Sequence, residues 1–260
     1  MKRTTFITSI TASIALLAPL SLLADHHEEA AAPPSLTEVW IVVPKAGMAD
    51  KFVKAVTDDI AYRVKKGDTR SWNAYTVAIG HNLDPIQFRA CCFDWADQDT
   101  YEADSMEKGL SKNWNENVDQ YVDHYHRYFE TTDWENSHWP EGEGDGPYYG
   151  ATTWMDKQGG GEASNNARKK MSQLAINEGW EGNWLWFSRT GGKSTTAIVS
   201  SYKNYADMEP PEQSFGAFAY EKLGEEEAAK MFEEFNSGFT DSDYTVWKHH
   251  KGMSMPDDEE

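Results

Sequence analysis

Two stretches of this chain repeat the same residue types at the same spacing, on either side of a segment that cannot enter a core. Residues 140–147 are three glycines, three acids and two prolines, the composition of a linker. Before it, Val118, Tyr121, Val122, Tyr125 and Phe129 recur at helical spacing and lead to Asp133 and Trp134. Ala228, Met231, Phe232, Phe235 and Phe239, then Asp243 and Tyr244, follow at a constant offset of 110 residues. Seven positions in one register read as a duplicated module with its seam at the linker.

The chain opens with Lys2 and Arg3, then an uncharged run rich in Ile, Leu and Ala that ends Leu22-Leu23-Ala24. That layout is a secretory signal peptide over residues 1–24, cut after Ala24. A membrane anchor needs about 20 strongly apolar residues, and this run is broken by Thr5, Thr8, Ser9, Thr11, Ser13 and Pro19. The expected address is therefore periplasmic or secreted, with no membrane partner after cleavage. Loss of Lys2 and Arg3 moves the net charge from −19 to −21, a field that repels nucleic acid and excludes it as a partner. Eleven tryptophans, twelve tyrosines and eleven phenylalanines supply core despite the acidity.

Residues 25–36 form a polar lead-in read as disordered. Its Asp-His-His start could wrap Cu(II) or Ni(II) in square-planar nitrogens, or be an unselected terminus. The first module spans 37–139. Residues 39–43, Val-Trp-Ile-Val-Val, are a strand covered on both faces. Phe52, Val56, Ile60 and Val64 mark an amphipathic helix that stops near Gly67. Residues 72–79 and 86–93 form a hairpin. Residues 102–117 suggest a short helix and loop, 118–129 a helix, and 134–139 a last extended piece. The second module, 148–250, repeats this order with strands at 149–155, 184–187, 195–202 and 244–247. Its helices are marked by Ala167, Met171, Leu174 and Ala175 and by residues 225–239. Residues 251–260 are an acidic tail. Gly159-Gly160-Gly161 lacks the Lys-Ser/Thr of a phosphate loop and reads as a turn.

Each half thus reads β-α-β-β-α-β. The apolar strands at 39–43 and 184–187, the amphipathic helices and the Asp-Trp/Tyr endings resemble the dimeric α+β barrel superfamily. The expected fold class is α+β, two tandem ferredoxin-like modules with antiparallel sheets packed face to face as a pseudo-dimeric barrel. The resemblance implies a cofactor-free monooxygenase, a haem-binding relative of chlorite dismutase, a NIPSNAP-like protein or a stress-response barrel. Fold alone does not choose among them.

On strand 86–93, Gln87, Arg89, Cys91 and Phe93 share one face, a mixture suited to a ligand-lined lumen. With Tyr75, Trp184, Trp186 and Tyr202 on neighbouring strands, this predicts an aromatic cavity with Arg89 as its cation. Alternatively both tryptophans are core and Arg89 reaches solvent. Cys91 and Cys92 are adjacent and read as small strand residues, a vicinal disulfide or an intermolecular bridge. Glu116, Asp119, Asp123, His126 and Glu130 would line one helix face, either solvated or around a divalent metal.

The resulting expectation is an exported protein that binds a small apolar or aromatic ligand between its sheets, with no cofactor. The alternatives are a cofactor-independent monooxygenase-like enzyme, or a haem-binding barrel with His126 as the nearest axial donor. A homo-oligomer is left open. N-terminal sequencing of exported protein is expected to read Asp-His-His from Asp25; retention of Met1 would reject the signal peptide.

Overall fold

The computed structural model describes residues 33–140 and 146–256. The signal peptide expected over residues 1–24, most of the lead-in, the centre of the linker and the end of the acidic tail lie outside the described residues. No helix among the described residues is long and apolar enough to cross a membrane.

The first half runs β1 (Leu36–Pro44), α1 (Ala49–Lys66), β2 (Trp72–Ile79), β3 (Ile86–Phe93), α2 (Trp95–Lys108), α3 (Leu110–Asn117) and β4 (Val122–Thr132). The second runs β5 (Tyr148–Asp156), α4 (Gly161–Asn177), β6 (Leu185–Thr190), β7 (Thr195–Tyr202), α5 (Phe215–Leu223), α6 (Glu225–Ser237) and β8 (Phe239–His249). The eight strands close into a barrel in the order β1-β3-β2-β8-β5-β7-β6-β4. Each half contributes a four-stranded antiparallel sheet with its first strand central, β4-β1-β3-β2 and β8-β5-β7-β6. Two seams join them, β2 with β8 and β4 with β6. The halves therefore meet edge to edge as well as face to face, and the ring encloses a lumen.

Alternation along each strand sends one set of side chains into the lumen and the other outward under helices. On the outside of the first sheet, Phe52 and Val56 of α1, both fully buried, pack with Phe88, Ala90 and Trp72. Gly67 closes α1 in the left-handed region at φ 65°, as its position after the apolar stripe predicts. On the second sheet, Trp154, Trp186, Phe235 and Phe239 interlock beneath α4 and α6, with Trp154 stacked on Trp186 at 5.8 Å.

The structure corrects the reading of residues 118–129 as a helix. Residues Asp119–Tyr121 form one 3-10 turn, and β4 then runs beside β1 from Val122. The apolar spacing fits a helix, but the stretch is rich in Val, Tyr, Phe and Thr, and the ladder to β1 satisfies its backbone groups. The supposed strand at 134–139 is a 3-10 turn, Trp134–Asn136, followed by a single bridge between His138 and Trp184. The acidic line from Glu116 to Glu130 is consequently not a helix face, because α3 ends at Asn117.

The 110-residue register sets β4 against α6 and is not a structural equivalence. β5 begins 112 residues after β1, at Tyr148 against Leu36, and β8 begins 117 after β4, at Phe239 against Val122. Helix α5 was not anticipated, although Ser214 caps it by accepting from the amide of Ala217.

Phe52 touches both Phe88 and Trp114 edge-on, at 6.5 and 6.4 Å between ring centres. Phe52→Ala is expected to cost about 3–5 kcal/mol, read as a lower denaturant midpoint at unchanged slope. A loss below about 1 kcal/mol would show that this core does not hold the first half together.

Candidate functional site

Two cavities flank the first sheet, one on each face. The inner one is the lumen, about 230 Å³. Tyr75 and Arg89 line it, as the sequence suggests, with Gln87 and Cys91. Trp184, Trp186 and Tyr202 do not. The two tryptophans are buried in the outer layer under α4 and α6, with their indole N–H groups donating to the Asn136 carbonyl at 2.9 Å and Ser172 Oγ at 3.0 Å. Tyr202 lies beside Gly150 and Tyr244, on the outer face of β7.

The reason is strand parity. Arg89 pairs with Val39 and Val199 with Ala151, so Val199 is the counterpart of Arg89. Ala197 and Val199 face the lumen, whereas Thr196, Ile198, Ser200 and Tyr202 face out. Arg89 forms an ion pair with Glu130 at 2.8 Å and lies 5.1 Å from the Phe187 ring centre. Burial alone would lower the guanidinium pKa, but Glu130 beside it raises it above its usual value. Burial pushes the phenols of Tyr75 and Tyr128 upward. Cys91 and Cys92 are joined as a vicinal disulfide, with Cys91 at the lumen wall.

The outer cavity is larger, about 610 Å³, and the sequence reading missed it. Its floor is the outward face of the first sheet, with Glu38, Trp40, Trp72, Phe88, Tyr125 and Arg127; α1, α2 and α3 wall it. Glu38 is 2% exposed. Its Oε1 accepts from Trp40 Nε1 and from Arg127 Nε, both at 2.8 Å, while Oε2 is buried with no partner in the protein. Arg127 also reaches Glu102 at 3.2 Å, and Gln98 donates to Glu102 at 3.1 Å. Those two bonds, with Gln98 the stronger influence, hold the Glu102 carboxyl below its ordinary range.

Phenols and indoles pair across the same cavity. Trp114 Nε1 donates to the Tyr125 hydroxyl at 2.9 Å, which donates to Asp119 at 2.7 Å. Trp72 Nε1 donates to the Tyr101 hydroxyl at 3.1 Å. Tyr125 stands in the sequence only as one of a helical stripe and Arg127 carries no signal, because both enter the site through β4 being a strand. Glu38 lies one residue before the strand that the apolar run predicts at 39–43, and a carboxylate opening an apolar strand covered on both faces is the signal that points to it.

No protein-family model matches this chain, and no curated protein does. Among solved structures, a protein of Lactobacillus acidophilus NCFM provisionally named a monooxygenase superposes at TM-score 0.51 and 8% identity, over 83% of this chain and 94% of that one. A Fusobacterium nucleatum protein named in the same provisional way gives TM-score 0.51 and 10% identity, over 83% and 92%. A chlorite dismutase variant of Candidatus Nitrospira defluvii gives TM-score 0.47 at 10% identity, over 84% and 92%. The first two likenesses show the fold alone, an antiparallel eight-stranded α+β barrel.

The Tyr101 phenol is raised to about 12, chiefly by burial and then by the charge of Asp68. A folded pKa above the unfolded value of about 10 favours folding fully below pH 10, and that contribution is lost as pH rises to about 12. Absorbance titration at alkaline pH should show several late-ionising tyrosines, Tyr101 among them, and Tyr101→Phe should remove amplitude from that late phase. Loss of amplitude near pH 10 instead would place this phenol in water.

Proposed function

We propose that this chain binds a small planar aromatic molecule bearing a hydroxyl, in the cavity between the first sheet and helices α1 to α3. The observation that carries the reading is Glu38, a carboxylate buried among aromatic rings with Oε2 unpartnered. A buried charged oxygen without a donor is costly, and a ligand hydroxyl would supply one. Ring surface brought in with it would add roughly 25 cal/mol per Å². The halves differ in the same direction, since the equivalent outer layer of the second half is filled by Trp154, Trp186, Phe235 and Phe239.

The site thus differs from the inter-sheet cavity the sequence suggests, while the ligand class stays close to it. A second reading, a cofactor-independent oxygenase, is favoured by the same residue. Glu38 Oε2 would accept the hydroxyl proton as the ring gives electrons to O₂; one oxygen atom bonds to the adjacent ring carbon and the other leaves as water, so that 2-naphthol and O₂ give a naphthoquinone and water. Two fold neighbours carry provisional monooxygenase names in keeping with that chemistry. The residues do not fit a haem: among the described residues no histidine lines either cavity, and His126 is exposed on β4 beside His124. Export after Ala24 and a tandem duplication behind the two like-ordered sheets belong to the same proposal. The first is supported by the layout of residues 1–24, the second by the shared strand order.

2-Naphthol and naphthalene are the probes. Wild type is expected to prefer 2-naphthol, and Glu38→Gln to weaken it by about tenfold or more, the size of a charge-assisted hydrogen bond, with naphthalene unchanged. Equal effects on both would reject Glu38 as the acceptor. Oxygen uptake on adding 2-naphthol would select the enzyme reading over the carrier.

A further inference from the structure

The lumen holds three charged side chains among its described lining residues, Arg89, Glu130 and Arg189. The strand register gathers its polar groups around one of them. Thr37 on β1 pairs with Glu130 on β4 from one side, and Arg189 on β6 pairs with it from the other. Thr132 stands two residues further along β4, pointing to the same face.

Two guanidiniums thus share one carboxylate. Arg89 takes the close ion pair at 2.8 Å, while Arg189 stands 3.9 Å from the other oxygen and rests 3.8 Å from the Tyr128 ring centre. The cluster carries one net positive charge in a wall of tyrosine, tryptophan and aliphatic side chains. Three of its polar atoms are buried without a partner in the protein: Arg189 Nε, Thr37 Oγ1 and Thr132 Oγ1. Thr37 is 1% exposed and Thr132 4%. All three can donate. Surplus positive charge on two largely buried arginines, 20% and 22% exposed, beside unused buried donors is unfavourable until an anion meets it.

We propose that the barrel lumen is a second binding site, for a small carboxylate held by Arg189, Arg89 and the hydroxyls of Thr37 and Thr132. A carboxylate brings one negative charge and acceptor lone pairs only, which matches the surplus charge and the donors. Its organic part meets Leu185, Phe187 and Val199 on the second sheet. At about 230 Å³ the lumen is smaller than the usual span for drug-sized ligands, so it takes a short-chain or single-ring acid. The site is independent of the outer cavity, which lies across the sheet and whose described lining sets Glu38, Asp59, Glu102 and Asp119 against Arg63, Lys112 and Arg127.

The probes are sodium benzoate, benzamide as its neutral counterpart and sodium acetate, titrated against the full chain. Intrinsic fluorescence reads them, because Trp134, Trp139 and Trp247 line the lumen. Benzoate is expected to saturate, and benzamide to bind weaker by about tenfold or more. Arg189→Gln should weaken benzoate by a similar factor and leave benzamide unchanged. Thr132→Val, which keeps shape, should weaken benzoate several-fold without lowering Tm, and Glu130→Gln should tighten it by removing the competing carboxylate. Glu38→Gln should leave benzoate unchanged. The proposal is overturned if neither benzoate nor acetate saturates, if benzoate and benzamide bind alike, if Arg189→Gln and Thr132→Val both leave benzoate unaffected, or if the Glu38 variant alone loses it.

Discussion

Pairing of the two outer strands of each sheet with those of the other is the constraint from which the rest follows. A lone four-stranded sheet would leave β2 and β4 of the first half with unpaired backbone groups, open to association. Here β2 zips to β8 from Tyr75–His249 to Ile79–Val246, and β4 zips to β6 from Phe129–Thr190 to Thr132–Phe187. Closure gives every strand an inside as well as an outside. That alone explains why β1, with Thr37 and Val39 on one face and Glu38, Trp40 and Val42 on the other, must be covered on both.

The two cavities are therefore separated by one sheet. Phe88 and Arg89 are neighbours in the chain, yet one closes an aromatic floor and the other sits in the lumen beside Glu130. Polarity divides the same way, with a partnerless carboxylate oxygen outside and partnerless donors inside. The second half has no matching division. Val199 replaces the arginine, and stacked indoles fill the outer layer. Like strand order thus supports unlike chemistry, and the specialised face belongs to the first half.

What the sequence discloses is what local pattern dictates. The stripe of α1, its Gly67 stop, both hairpins and the two-faced β1 are visible because period and turn residues agree with the final structure. β4 is not, because Val118, Val122, Tyr125 and Phe129 satisfy a helical period by coincidence, and only the ladder to β1 decides the matter. For the site, Tyr75 and Arg89 could be placed from alternation on strands whose partners were near in sequence. Tyr202 falls on the outer face, because β7 corresponds to β3 at an offset of 110 and a count wrong by one residue inverts the parity of a whole strand. Glu38 and Arg127 come together 89 residues apart, a proximity that no window of sequence contains.

The adjacency of Thr37 and Glu38 bears on how such a protein can change over evolutionary time. Substitution can retune either compartment alone, since each residue faces only one of them. Insertion or deletion of a single residue in β1 has no such freedom: it would turn Glu38 toward the cationic lumen and Thr37 beneath the helices. Length variation in this lineage should therefore collect in connections such as residues 203–214, which join β7 to α5 and lie largely exposed. The central strand is confined to diverging one side chain at a time.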